Sequence, residues 1–148
     1  MSPDLYPAWP TPAIAGASTA AAPAYGRSFA FDFEAGDFIL DGAGRVVGTD
    51  GPTSWAIWCV KAILTERFGS LVYSRRYGSE ITMAMGLPDQ AMAESEIRRS
   101  ITEALMADPR TREVRDFTLI WDGDALTVSF TAVPRVGSPQ TLEVRLTA

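Results

Sequence analysis

The chain has 148 residues, 47% of them hydrophobic and 21% charged, which suits one domain with a real core and leaves too little length for two. Its formal charge is −5, it has no histidine, and Cys59 is its one cysteine. These features exclude an intramolecular disulfide framework, a cysteine-based zinc cluster and the commonest general base, and they oppose nucleic-acid binding, which needs a basic footprint. No apolar run approaches the length of a membrane span, and no basic segment followed by an apolar stretch opens the chain, so neither a membrane partner nor a signal peptide is expected. No cofactor is expected.

Residues 1–27 hold five of the ten prolines and eight alanines, with Asp4 and Arg27 the only charges. Prolines at 3, 7, 10, 12 and 23 erase helical and strand periodicity and predict an extended arm. Leu5, Tyr6, Trp9, Ile14 and Tyr25 are too apolar for an ordinary linker. Tyr6, Trp9 and Tyr25 are therefore expected to anchor an assembly arm on a neighbour, the alternative being a solvated tail without function. Residues 28–148 form the expected domain.

Phe29–Glu34 alternates as a half-buried strand does, and 37–40 and 45–47 are further short strand candidates. Asp50-Gly51-Pro52 punctuates, and Thr53 or Ser54 is expected to cap a helix running to Gly69, with Ala56, Val60, Ile63 and Leu64 on its apolar face, widened by Ile57 and Phe68. Residues 70–88 are irregular, with 71–74 a possible short strand. The clearest helix spans 89–108, capped by Asp89, striped by Ala93, Ile97, Ile101, Ala104 and Leu105, and stopped by Pro109. Strands follow at 114–121, 125–133 and 141–147, the first two joined by a hairpin at Asp122-Gly123. The order predicts an α+β fold: two main helices on a mostly antiparallel sheet with a C-terminal meander, preceded by an extended arm.

Catalytic constellations are sparse. Cys59 has no activating base and sits in an apolar helix, where a small buried hydrophobe is the expected role. The glycines make neither a phosphate loop nor a dinucleotide fingerprint. Glu66 and Asp108 are the one carboxylate pair placed for glycoside hydrolysis, but each neighbours an arginine, which suits ion pairing better than general acid catalysis.

Several pieces occur in a recognisable order. They are F-x-F-D at 29–32, D-G at 50–51 opening a tryptophan-rich helix, T-E-R at 65–67, V-Y-S-x-x-Y-G at 72–78, G-L-P at 86–88, and E-x-E-I-R-R-x-I-x-E-A-L at 94–105 running to D-P-R at 108–110. This set resembles the small baseplate wedge, or sheath-initiator, family of contractile-tailed bacteriophages, with relatives in the type VI secretion baseplate. The resemblance implies a structural, non-enzymatic protein of the virion tail baseplate, assembled in the bacterial host cytoplasm and present in multiple copies around the hub. It implies as partners the tail sheath protein, the baseplate wedge-core proteins, and tail tube or hub proteins. Some relatives carry lysozyme-like labels. The family hallmark is Glu-Pro-Arg after the long helix; here Asp108, Pro109 and Arg110 match it, with a carboxylate one methylene shorter. The resemblance marks Asp108, Pro109, Arg110, Glu66, Arg67, Tyr77 and Gly78 as protein-interaction residues.

The residues themselves leave two readings of Arg110. It is a rigid five-donor fork for an interface, or an intramolecular tie to a carboxylate such as Glu66 or Glu113. The last strand, with Leu142, Val144 and Leu146 facing one way and Glu143 and Arg145 guarding the other, is an expected edge that can accept a strand from another chain, the alternative being a plain solvent-facing edge; the resemblance implies that the added strand comes from the sheath. The alternatives are a cell-wall glycosidase using Glu66 and Asp108, or an adaptor of another assembly.

Overall fold

A computed structural model describes residues 24–147. Tyr6 and Trp9 lie outside the described residues. The elements in order are β1 (Ser28–Phe29), β2 (Phe31–Asp32), β3 (Asp37–Phe38), β4 (Gly48–Thr49), α1 (Gly51–Leu64), α2 (Ile81–Met85), α3 (Gln90–Met106), β5 (Thr111–Asp122), β6 (Ala125–Pro134) and β7 (Gln140–Thr147). The fold is α+β, with a three-stranded antiparallel meander in the order β5-β6-β7.

The N-terminal strands are shorter than their alternation predicts. Ala30 splits 29–34 into two pieces because its N–H bonds to Val47 and its carbonyl to Ile39, so three segments share the residue. Asp32 then turns the chain, its carboxylate accepting from the N–H groups of Glu34 and Ala35. β1 pairs with β4, and β2 with β3, each over two residues.

Helix α1 differs from expectation at both ends. Asp50 is its N-cap, with Pro52 in the first turn; Thr53 and Ser54 already lie inside the helix. It stops at Leu64 instead of running to Gly69. Thr65 turns extended, its Oγ1 donating to the Lys61 carbonyl at 2.7 Å, and Glu66 leaves the helix to form a parallel bridge with Ser79. The buried face is also rotated. Trp55, Cys59, Ala62 and Ile63 are the enclosed side chains, whereas Leu64 and Phe68 are exposed. Segment 71–74 is turns rather than strand, and the short α2, which irregular composition hid, packs Ile81 and Ala84 into the core.

Helix α3 follows its sequence closely. The Asp89 carboxylate caps it through the Ala91 N–H at 3.0 Å, and all five residues of its apolar stripe are buried. α1 and α3 cover one face of the meander, whose central strand contributes Leu126, Val128, Phe130 and Ala132. Full burial of each larger aliphatic side chain contributes roughly 1.5–3 kcal/mol. Two side-chain hydrogen bonds tie helices to β5: Trp55 Nε1 to Thr111 Oγ1 at 3.3 Å, and Trp121 Nε1 to Glu94 Oε1 at 3.2 Å.

The outer strands of the meander are unlike one another. β5 has two register shifts against β6, between Thr111 and Glu113 and between Arg115 and Thr118. Asp116, at φ 58°, lies within the second. Each shift flips the inward parity, so Thr111, Val114 and then Phe117, Leu119 and Trp121 face the core. β7 pairs all eight residues with β6 without a shift. The hairpin before β6 closes on Asp122 and Ala125, so its two-residue loop is Gly123-Asp124, one residue later than expected, with Gly123 at φ 60°.

Candidate protein-interaction site

The sequence pieces at 65–67 and 77–79 meet in space. The Arg67 N–H donates to the Ser79 carbonyl at 2.9 Å and the Ser79 N–H to the Thr65 carbonyl at 2.8 Å. The buried Ser79 hydroxyl donates to the Ile63 carbonyl at 2.6 Å. Gly78 makes this approach possible. Its φ is 100°, and a Cβ there would lie 2.8 Å from the Thr65 carbonyl and 2.9 Å from the Arg67 nitrogen. Arg67 extends the tie: Nε donates to the Gly78 carbonyl at 3.2 Å, and Nη1 lies 3.5 Å from Glu80 and 3.6 Å from Glu103. Glu66 remains exposed.

Asp108, Pro109 and Arg110 form a clasp between α3 and β5. The partner of Arg110 is Asp108, not Glu66 or Glu113. Arg110 Nη2 reaches Asp108 Oδ2 at 2.5 Å, Nε bonds both carboxylate oxygens at 3.0 Å, and the backbone N–H of Arg110 donates to Oδ1 at 2.7 Å. The two side chains are 8% and 19% exposed, so the pair is largely desolvated. The hydrogen bonds to Asp108 hold the guanidinium pKa above its ordinary value. The guanidinium carbon lies 5.4 Å from the Trp58 ring centroid. Trp58 meets Tyr77 edge-on at 6.0 Å, and Tyr77 lies 4.8 Å from Tyr73. Burial pushes the Tyr77 hydroxyl pKa up. Thus Asp108, Arg110 and Tyr77 belong to one chain of contacts, with Gly78 and Arg67 in the adjoining ladder. Trp58 is the link that sequence reasoning missed, because the apolar face assigned to α1 left it out.

Cys59 lies enclosed beneath the clasp. Burial, with a smaller contribution from the Asp108 carboxylate, drives its thiol pKa far up, which fits an inert core residue. The cavity beside Glu66, about 280 Å³, is lined also by Arg67, Phe68, Glu80, Thr82 and Met83, and Asp108 takes no part in it. Among the described residues no group of three or more cysteines and carboxylates is placed to hold a metal ion, and no helix is long and apolar enough to cross a membrane.

β7 is the outermost strand on its side, and among the described residues no main-chain hydrogen bond joins it to any element other than β6. The two-residue turn makes Asp122 and Ala125 a bonded pair, so by alternation Leu126–Leu146 and Val128–Val144 are bonded pairs too. The N–H and C=O groups of Glu143 and Arg145 then point outward. Beside them runs a groove of about 610 Å³ lined by Phe33, Glu34, Val60 and Leu64 as well as Glu143, Val144, Arg145 and Thr147. Leu142 and Leu146 pack partly into the core on the α1 side. The expected arm anchor Tyr25 packs against its own chain, its hydroxyl donating to the Val136 carbonyl.

A model of the contractile injection system sheath-initiator family matches residues 27–137. The chain belongs to that family. The match takes in the ladder, the clasp, and strands β5 and β6. The phage-like element PBSX protein XkdS of Bacillus subtilis (strain 168) is 35% identical over 85 residues, covering 56% of this chain and 60% of that protein. The chain therefore aligns with less than two thirds of that relative's length. Membership in that family makes this a structural protein of contractile injection systems by kind.

Proposed function

We propose that this sheath initiator sits in the tail baseplate of a contractile particle, assembled in the host cytoplasm, and templates the first sheath ring by accepting a strand at β7. The observation that carries this reading is the unshifted β7 margin, with outward main-chain groups beside a groove of about 610 Å³. An added strand would bond Glu143 and Arg145 and rest alternate side chains on Val60 and Leu64. Copies arranged around a hub multiply weak contacts by effective concentration, so one site need not bind tightly. The wedge-core, tube or hub contacts belong in this reading to the Asp108–Arg110 clasp and the Glu66–Gly78 ladder. The arm, residues 1–27, is read as an assembly arm that meets a neighbour, with Tyr25 seated on the arm's own 28–148 domain.

A structural role without catalysis is supported by the engagement of Asp108 with Arg110, which leaves no free general acid there. The test is Glu143→Pro, which removes one outward N–H and no ladder bond. Particles assembled with this variant should carry tube and baseplate but no sheath, and the purified variant should keep its fold by circular dichroism. Full sheath on such particles would overturn strand addition at β7. Peptidoglycan turnover by the purified chain, lost in Glu66→Gln, would decide for the glycosidase instead.

A further inference from the structure

The ladder and clasp hold up a segment that neither of them uses. Between Arg67 and Tyr77 the chain makes a turn-rich excursion, Phe68-Gly69-Ser70-Leu71-Val72-Tyr73-Ser74-Arg75-Arg76. Its apolar side chains point away from the core. Leu71 is fully exposed, Val72 is 88% exposed and Phe68 68%, and Met83 of α2, which shares the cavity beside Glu66 with Phe68, is 73% exposed. Exposed apolar groups this concentrated on one short loop mark an interaction surface rather than scattered exposure.

The base of the loop is rigid. Gly78 closes it against Thr65 and Arg67 with no room for a Cβ, and Tyr73 is pinned through Tyr77 and Trp58 to Arg110. Phe68 takes a left-handed φ of 67°, unusual for an aromatic residue, as the chain turns outward. A preorganised apolar tip loses little entropy on docking. Within the loop itself, residues 68–76, the only charges are positive. Arg75 and Arg76 are exposed and form no ion pair among the described residues, although the chain as a whole carries −5.

We propose that the loop tip of Phe68, Leu71 and Val72 inserts into an apolar cleft of another baseplate protein, a cleft rimmed by carboxylates that receive Arg75 and Arg76. The motif residues Arg67, Tyr77, Gly78 and Arg110 then act as the platform that aims the tip. This surface is distinct from β7, so each can fail without the other.

The test places the photo-crosslinking residue benzoylphenylalanine at position 71 of the full chain in assembled contractile particles and maps the attachment by mass spectrometry. Attachment within a segment of another protein that combines apolar residues with aspartates or glutamates supports the proposal. So does at least a ~30-fold loss of that attachment in Arg75→Glu with Arg76→Glu, the loss expected when a central contact is removed. Met92→Ser, an exposed apolar site elsewhere on α3, should leave it unchanged. Attachment to a second copy of this chain, capture of the purified protein by anionic phosphatidylserine vesicles through the same residues, or no attachment at all would overturn it.

Discussion

The two margins of the meander are made from similar residues and behave oppositely. Both carry charges: the adjacent pairs Arg112-Glu113 and Arg115-Asp116 on β5, and the alternate residues Glu143 and Arg145 on β7. On β5 two register shifts twist the strand and spoil it as a template, and α3 is tied to it through the Trp121–Glu94 bond. On β7 the ladder is regular, and the neighbouring groove is open. Edge charge is thus an incomplete guard; the geometry of the ladder decides whether a margin can be extended.

The largest effect follows from stripping the charges from each margin in turn. Glu143→Thr with Arg145→Thr leaves β7 regular and unguarded, so the purified variant should self-associate with rising concentration, seen by sedimentation velocity. Arg112→Thr with Glu113→Thr makes the same exchange on β5, whose bulges remain, and should sediment like the parent chain. Equal behaviour of the two variants would remove the distinction between the margins.

Next comes the clasp that anchors β5. Asp108→Ala leaves the largely buried Arg110 guanidinium without its carboxylate and should lower stability by about 3 kcal/mol in urea titrations. A loss under about 1 kcal/mol would mean that water or the Trp58 face satisfies the cation. Asp108 also accepts the Arg110 backbone N–H at 2.7 Å, a bond formed between residues two apart. That short reach gives the aspartate here a local purpose.

These contrasts also separate what the residues revealed from what they concealed. The α3 stripe, the inward face of β6 and the edge position of β7 follow from local periodicity alone, because each is regular and amphipathic. The end of α1 does not, because Thr65 and Arg67 bond the backbone of Ser79 instead of continuing the helix, a pairing no local window contains. The bulges of β5 are hidden for the same reason: Asp116 is an acceptable strand-surface residue until the partner strand sets the register. Of the site, the Asp108–Arg110 pair lies two residues apart and its pieces were legible. Trp58 was not, since only the rotated face of α1 places it under the guanidinium.

Beneath the clasp, Cys59 supplies a pH probe. Burial raises its thiol pKa above the ordinary 9.0, so the folded state keeps a proton that the unfolded chain releases. Stability is fully present below pH 9 and falls as pH rises beyond it, by at most about 1.4 kcal/mol per pH unit for one proton. Tyr77, raised in the same direction from 10.0, adds to the decline at higher pH. Urea titrations from pH 8 to pH 10.5 should show this alkaline fall, and Cys59→Ala should flatten its first part. An unchanged slope in that variant would assign the fall to Tyr77.

The smallest effect returns to the irregular margin. Asp116 sits at φ 58° within the second register shift, in the left-handed region where an L side chain is strained. Its carboxylate lies 3.5 Å from Arg115 Nε, an exposed pair of little energetic weight. Asp116→Gly relieves the strain, while glycine's extra freedom in the unfolded chain offsets part of the gain, so a net stabilisation of about 0.5 kcal/mol is expected. Asp116→Val, which tolerates left-handed backbone poorly, should move stability the other way by more than that. If both variants left the urea midpoint unchanged, the bulge would not be set by this backbone conformation, and the difference between the margins would have to rest on the cover supplied by α3.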